Sequence, residues 1–79
     1  MLTPRKHLNL DVSVLRIAAI VLRELTKRGV IKIEAMRALV IRRTGSDGEL
    51  AFLPAIGLLF LLGKLDYHLQ NDSLEYKVR

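Results

Sequence analysis

The sequence predicts an α+β fold of three helices, a short strand and a C-terminal β-hairpin, and three observations carry that expectation. Apolar residues recur at helical spacing after Asp11, the period falls to two after Leu65, and glycines punctuate the boundaries between. With 79 residues there is room for one domain and one core. A chain this short buries only about 60% of the surface that its unfolded form exposes, so it is marginal alone.

Residues 1–10 hold Pro4, Arg5 and Lys6 with no period and are expected to form an extended arm, leaving 11–79 as the folded domain. Asp11 or Ser13 can cap a first helix, whose apolar residues Val14, Ile17, Ala18, Val21, Leu22 and Leu25 fall on one face. Gly29 supplies its stop. Val30 and Ile31 form a β-branched step, and a second helix runs from about Glu34 to Thr44 with Met36, Leu39 and Val40 on a shared face. Gly45 ends it, and Ser46, Asp47 and Gly48 have the composition of a turn. A third helical pattern runs from near Glu49 to Gly63. Because proline is tolerated only in a first turn, Pro54 predicts that its regular part begins nearer Phe52 or Leu53.

Leu65, Tyr67 and Leu69 then alternate with Asp66, His68 and Gln70, and Leu74, Tyr76 and Val78 with Ser73, Glu75 and Lys77. Two such strands around Asn71 and Asp72 make a hairpin. A lone hairpin is marginal in water, so its apolar face is expected on the helices with Val30 and Ile31 as a third strand. This order of elements is that of a winged helix-turn-helix domain, the hairpin being the wing.

From Leu50 to Gly63 the chain reads LAFLPAIGLLFLLG, with no charged or hydrogen-bonding side chain. At 100° per residue its leucines and phenylalanines surround the helix, and a helix apolar all round is buried in protein or membrane. Crossing a bilayer takes roughly 20 apolar residues. This run is shorter and carries Pro54 and Gly57, so the protein reading wins. Two helices and a hairpin can cover one side, so another subunit or a second copy is expected over several of its leucine and phenylalanine side chains. Reading DNA through this helix would require Arg, Lys, Asn or Gln at base edges, and it has none.

The composition agrees with that of a subunit: 51% of residues are hydrophobic although 13 are Lys or Arg. A net charge of +5 and a pI of about 10.1 attract an acidic partner, whether protein or nucleic acid. Arg16, Arg23 and Lys27 form a stripe opposite the first helix's core face, and Arg42, Arg43 and Lys64 lie near helix ends. These six are the candidates for phosphate contact, against the plainer reading of a solvated face with cations at helix C-termini. Ile20 and Ile41 sit beside polar neighbours as candidate rim residues.

The chain has no cysteine, and His7 and His68 have no metal-ligand spacing. No nucleophile stands beside a base, no carboxylates pair, and no Gly-rich loop could cradle a phosphate. Neither catalysis, a cofactor, a metal nor a small-molecule substrate is expected. The absence of a signal-like N-terminus and of cysteine predicts a cytosolic chain.

The opening TPRKHLNLDVSVL, the stretch FLPAIGLLFLLGKLDYH and the closing LEY resemble the middle component of bacterial ABC-three component systems, the Lamassu-like conflict and antiphage operons. The resemblance implies a non-catalytic winged-helix connector between an SMC-like ATPase and an effector, often a nuclease, with non-specific DNA contact possible within the complex. Lys6 and His7 match the family's N-terminal motif, and Phe52, Leu53, Ile56, Leu59 and Phe60 its apolar third helix. The second helix departs from the pattern, with Glu34 where Ser or Asp usually caps. The alternative is a small basic winged-helix transcriptional regulator that binds DNA.

Overall fold

A computed structural model describes the backbone of residues 5–77 and the side chains of residues 12–77. Three helices pack over one face of a three-stranded antiparallel sheet, in the order α1 (Arg5–Arg28), β1 (Val30–Lys32), α2 (Ile33–Thr44), α3 (Ser46–Leu61), β2 (Leu65–His68) and β3 (Ser73–Tyr76). In the sheet β3 is central, between β1 and β2.

α1 starts well ahead of the expected cap, so residues 5–10 are helical rather than an extended arm, and Asp11 and Ser13 lie inside the helix. Arg5, Lys6, Leu8 and Leu10 are good helix formers, and no Gly or Pro interrupts the chain from there to Arg28. Ser13, Ile17, Ala18, Val21 and Leu25 are buried along its inner face. Lys27 and Arg28 occupy the last turn, where the helix dipole favours cations. Gly29, at φ 82°, closes the helix with its N–H donating to the Leu25 carbonyl at 2.7 Å.

β1 forms as expected, and α2 follows it without a loop. Lys32 at the N-cap provides no side-chain bond, but the Ile33 N–H donates to the Asp72 carbonyl at 2.9 Å, so the hairpin connection satisfies the start of α2. Met36, Leu39 and Val40 are buried, the face that the sequence predicts.

Gly45 alone joins α2 to α3. Ser46, Asp47 and Gly48 are therefore not a loop but the first turn of α3, a correction with two causes. Gly45, at φ 75°, makes the whole turn, and Asp47 and Glu49 favour a helix N-terminus. Gly48 is buried against α2: a Cβ there would overlap Thr44 Oγ1 and lie 3.1 Å from the Val40 carbonyl oxygen. It is a close-approach glycine, not a turn glycine. The regular helix also runs straight through Pro54, its ninth residue, instead of beginning near Phe52. Pro54 leaves the Leu50 carbonyl without its usual N–H donor, but it lies on the exposed side, where water can replace that donor. At the other end Lys64 N–H donates to Leu59 O at 2.9 Å and Gly63 N–H to Phe60 O at 3.0 Å, with Gly63 at φ 74°, a Schellman motif.

In the hairpin Leu65 faces Tyr76, Tyr67 faces Leu74 and His68 faces Ser73, so the connection spans residues 69–72 rather than Asn71 and Asp72 alone. Asp72 takes the left-handed conformation at φ 56°. The apolar hairpin face divides: Leu65 and Leu74 are in the core, Tyr76 is partly buried, and Tyr67 and Leu69 are exposed. Val78 lies outside the described residues.

Candidate partner-docking groove

An all-apolar helix carries no sequence signal for which side turns inward, and the structure supplies it. On α3 the inner seam is Gly48, Ala51, Phe52, Ala55 and Leu59; Phe52 is 1% exposed and Leu59 3%. Phe52 and Leu59 are thus core residues of this chain, so two of the five side chains expected toward a partner are turned inward. The outer seam is Leu50, Leu53, Gly57 and Phe60, at spacings of three or four, with Leu61 exposed beside it; Leu53 is 67% exposed and Phe60 56%. Ile56 lies partly buried at the border.

The middle of the outer seam, Leu53, Gly57 and Phe60, forms one wall of an open apolar groove of about 640 Å³. Leu53, Ile56, Gly57 and Phe60 contribute from α3, Tyr67 and Leu69 from the hairpin, and Ile33 and Leu65 complete the lining. Here the Schellman motif is decisive, because it turns the chain back at Gly63 so that β2 runs beside the helix it has just left. Leu69 stays exposed because the four-residue connection carries it beyond β2.

The Tyr67 hydroxyl is the one polar side-chain group in this lining, and it donates to Asp72 Oδ1. That hydrogen bond, with smaller contributions from desolvation and the Asp72 charge, raises the phenol above its ordinary range. A groove so lined offers burial but no nucleophile, base or anion cradle. Each large side chain covered there contributes about 1.5 to 3 kcal/mol. Hairpin residues Tyr67 and Leu69 belong to the groove although sequence reasoning placed them in the core; the strand alternation was legible, but its end at His68 was not.

Of the six candidate phosphate-contacting cations, two are engaged within the fold. Glu24, buried on α1, lies 3.5 Å from Arg43 Nη2, 4.0 Å from Lys27 Nζ and 3.4 Å from Arg28 Nε. Glu24 was not singled out from sequence, although its spacing of three and four residues from Lys27 and Arg28 is a readable signal. Arg16, Arg23, Arg42 and Lys64 are exposed and have no ion pair among the described residues. None of the six lies on α3, whose first turn carries the acids Asp47 and Glu49. Ile20 and Ile41 are partly buried.

Lys6 and His7 are in the backbone of α1, with side chains outside the described residues. His68 Nε2 is 2.6 Å from Glu75 Oε1, and the described residues include no group of three or more His, Asp or Glu placed to hold a metal ion. No helix among them is long and apolar enough to cross a membrane.

Residues 29–77, more than half the chain, match the family model described as ABC-three component (ABC-3C) system Middle Component 8. The match spans β1 to the hairpin, groove included, and excludes α1 with the Lys6 and His7 motif. No curated protein and no solved structure matches the chain.

Proposed function

The chain belongs to the ABC-three component system Middle Component 8 family, and from that membership we propose that it is the non-catalytic connector of its system, joining an SMC-like ATPase to an effector such as a nuclease in an antiphage or anti-plasmid complex. The family description implies a system with other subunits. The fold is proposed to be a winged helix-turn-helix: the element order and the sheet order β1-β3-β2 support this, with a one-residue turn between α2 and α3.

The single observation that carries the connector reading is the outer seam of α3 with the groove beside it. A DNA reader presents polar groups on that helix, whereas here Leu50, Leu53, Phe60 and Leu61 face solvent behind an acidic first turn. The regulator reading retains only the positive charge in its favour, and that is displayed on other elements. The cytoplasm, where such a complex would act, is the proposed location.

Co-expression of the chain with the ATPase and effector encoded beside it tests this. Phe60→Asp buries a charge without a partner in any interface over the groove, so a loss of at least about 2 kcal/mol, roughly thirtyfold in Kd, is expected for one subunit. Retention of both subunits at wild-type level by Phe60→Asp and by Leu53→Asp, in proteins that melt normally, would refute the role of the groove.

A further inference from the structure

α1 has a second apolar seam that is exposed among the described residues except at Leu22, which packs against the edge of the core. Val12, Leu15, Ala19 and Leu22 follow one another at spacings of three, four and three, the repeat of a coiled-coil stripe. Val12 is 62% exposed and Leu15 64%, Ala19 is exposed, and Leu22 is partly buried. The core face of α1, through Ile17, Val21 and Leu25, points elsewhere. At 1.5 Å per residue the seam is about 15 Å long.

Among the described side chains, the border of this seam is charged with one sign. Arg16 follows Leu15 and Arg23 follows Leu22, so the two arginines, seven residues apart, hold the same place beside the stripe, and Lys27 extends the row. The only acid among residues 12–28 is Glu24, which is buried and engaged by Arg28, Arg43 and Lys27. Arg16 and Arg23 therefore lack an acidic partner among the described residues.

We infer that this face docks an amphipathic helix of a partner protein, one whose apolar heptad stripe is bordered by Asp or Glu. Charge complementarity selects that occupant. A second copy of the chain, paired antiparallel, would set each arginine row against the other, on molecules that each carry +5. A DNA backbone would satisfy the arginines but leave the aliphatic seam facing phosphate and water. The face lies on a different element from the α3 groove, and the inference rests on the connector reading only in the complex chosen to test it.

The test is photo-crosslinking in the co-purified complex, with a benzophenone amino acid replacing Leu15 in one preparation and Phe60 in another. The expected product from position 15 is a link to a partner's helical segment rich in Asp or Glu beside its apolar stripe. The Arg16→Glu, Arg23→Glu double variant is expected to weaken retention of that partner at least tenfold, with recovery when the partner's acids are changed to Lys. A link to a second copy, a link to nucleic acid, or no link at position 15 overturns the inference. The Phe60 preparation reports separately on the groove, so a link at 60 without one at 15 leaves the connector reading standing, and the reverse removes the groove while keeping α1.

Discussion

The buried carboxylate of Glu24 on α1 stands 3.5 Å from the guanidinium of Arg43 at the end of α2, an ion pair that ties two helices otherwise joined through a three-residue strand. Arg28 and Lys27 share the same carboxylate and are about half exposed or more, so loss of Arg43 alone leaves Glu24 compensated. Arg43→Ala is expected to cost about 1 kcal/mol after allowance for solvent screening. Arg43→Glu, which sets a second carboxylate beside the buried one, is expected to cost at least about 2. Urea denaturation of both variants measures the difference, and equal costs would mean that Glu24 contributes no electrostatic anchoring.

Two glycines of the same helix should respond with opposite sign. Gly48→Ala places a methyl group against Thr44 and Val40 and is expected to destabilise by about 1 to 3 kcal/mol. Gly57→Ala meets nothing within 4 Å and removes a helix-interior glycine, so a gain of about 0.5 to 1 kcal/mol is expected. For a domain of this size 1 kcal/mol moves Tm by about 4 to 8 °C, well within calorimetric reach. Destabilisation by both would place the α2 to α3 contact elsewhere.

Pro54→Ala restores an N–H to α3 facing the Leu50 carbonyl. A gain of roughly 1 to 3 kcal/mol is expected in thermal or chemical unfolding, because proline is unfavourable by about 3 inside a helix. No gain would mean that the helix is already broken there.

The Tyr67 phenol is held above its ordinary range because its hydroxyl donates a hydrogen bond to the Asp72 carboxylate. In a Tyr76→Phe background, tyrosinate absorbance should rise at higher pH than in an unfolded reference, and Asp72→Gly should bring it down while keeping the left-handed turn relaxed. The sign follows from linkage: a group whose folded pKa is raised adds stability that is complete below the unfolded pKa, near 10, and is lost as pH climbs through the folded value. Titration of Tyr67 unchanged by Asp72→Gly would assign the shift to another cause.

Much of the architecture is written in periods. The inner faces of α1 and α2, the β1 step and the paired strands all follow from spacing, because each has a polar side that fixes its direction. The departures fall where composition imitates something else. Ser46, Asp47 and Gly48 have the chemistry of a turn, yet acids also favour a helix start and a glycine also permits close packing. Phe52 and Leu59 could not be told from Leu53 and Phe60 while all neighbours were apolar, since direction on α3 is set by what α1 and α2 press against it. Residues 5–10 lacked an obvious period but have the propensity to extend α1, and although the spacing of Glu24 from Lys27 and Arg28 was readable, its pairing with Arg43, nineteen residues away in sequence, was not.

The two neighbouring seams of α3 have a thermodynamic consequence. One helix separates Phe52 and Leu59, which hold the interior together, from Leu53 and Phe60, which face outward, so whatever grips the outer seam also restrains the inner one. A protein that binds the folded chain and not the unfolded one adds stability by mass action, about 2.7 kcal/mol at a hundredfold excess over its Kd. For a domain of 79 residues that is a large share of the total. On the proposed docking, its lifetime in the cell would be set by the supply of its partner as much as by its own contacts, and surplus copies would be the first to be degraded.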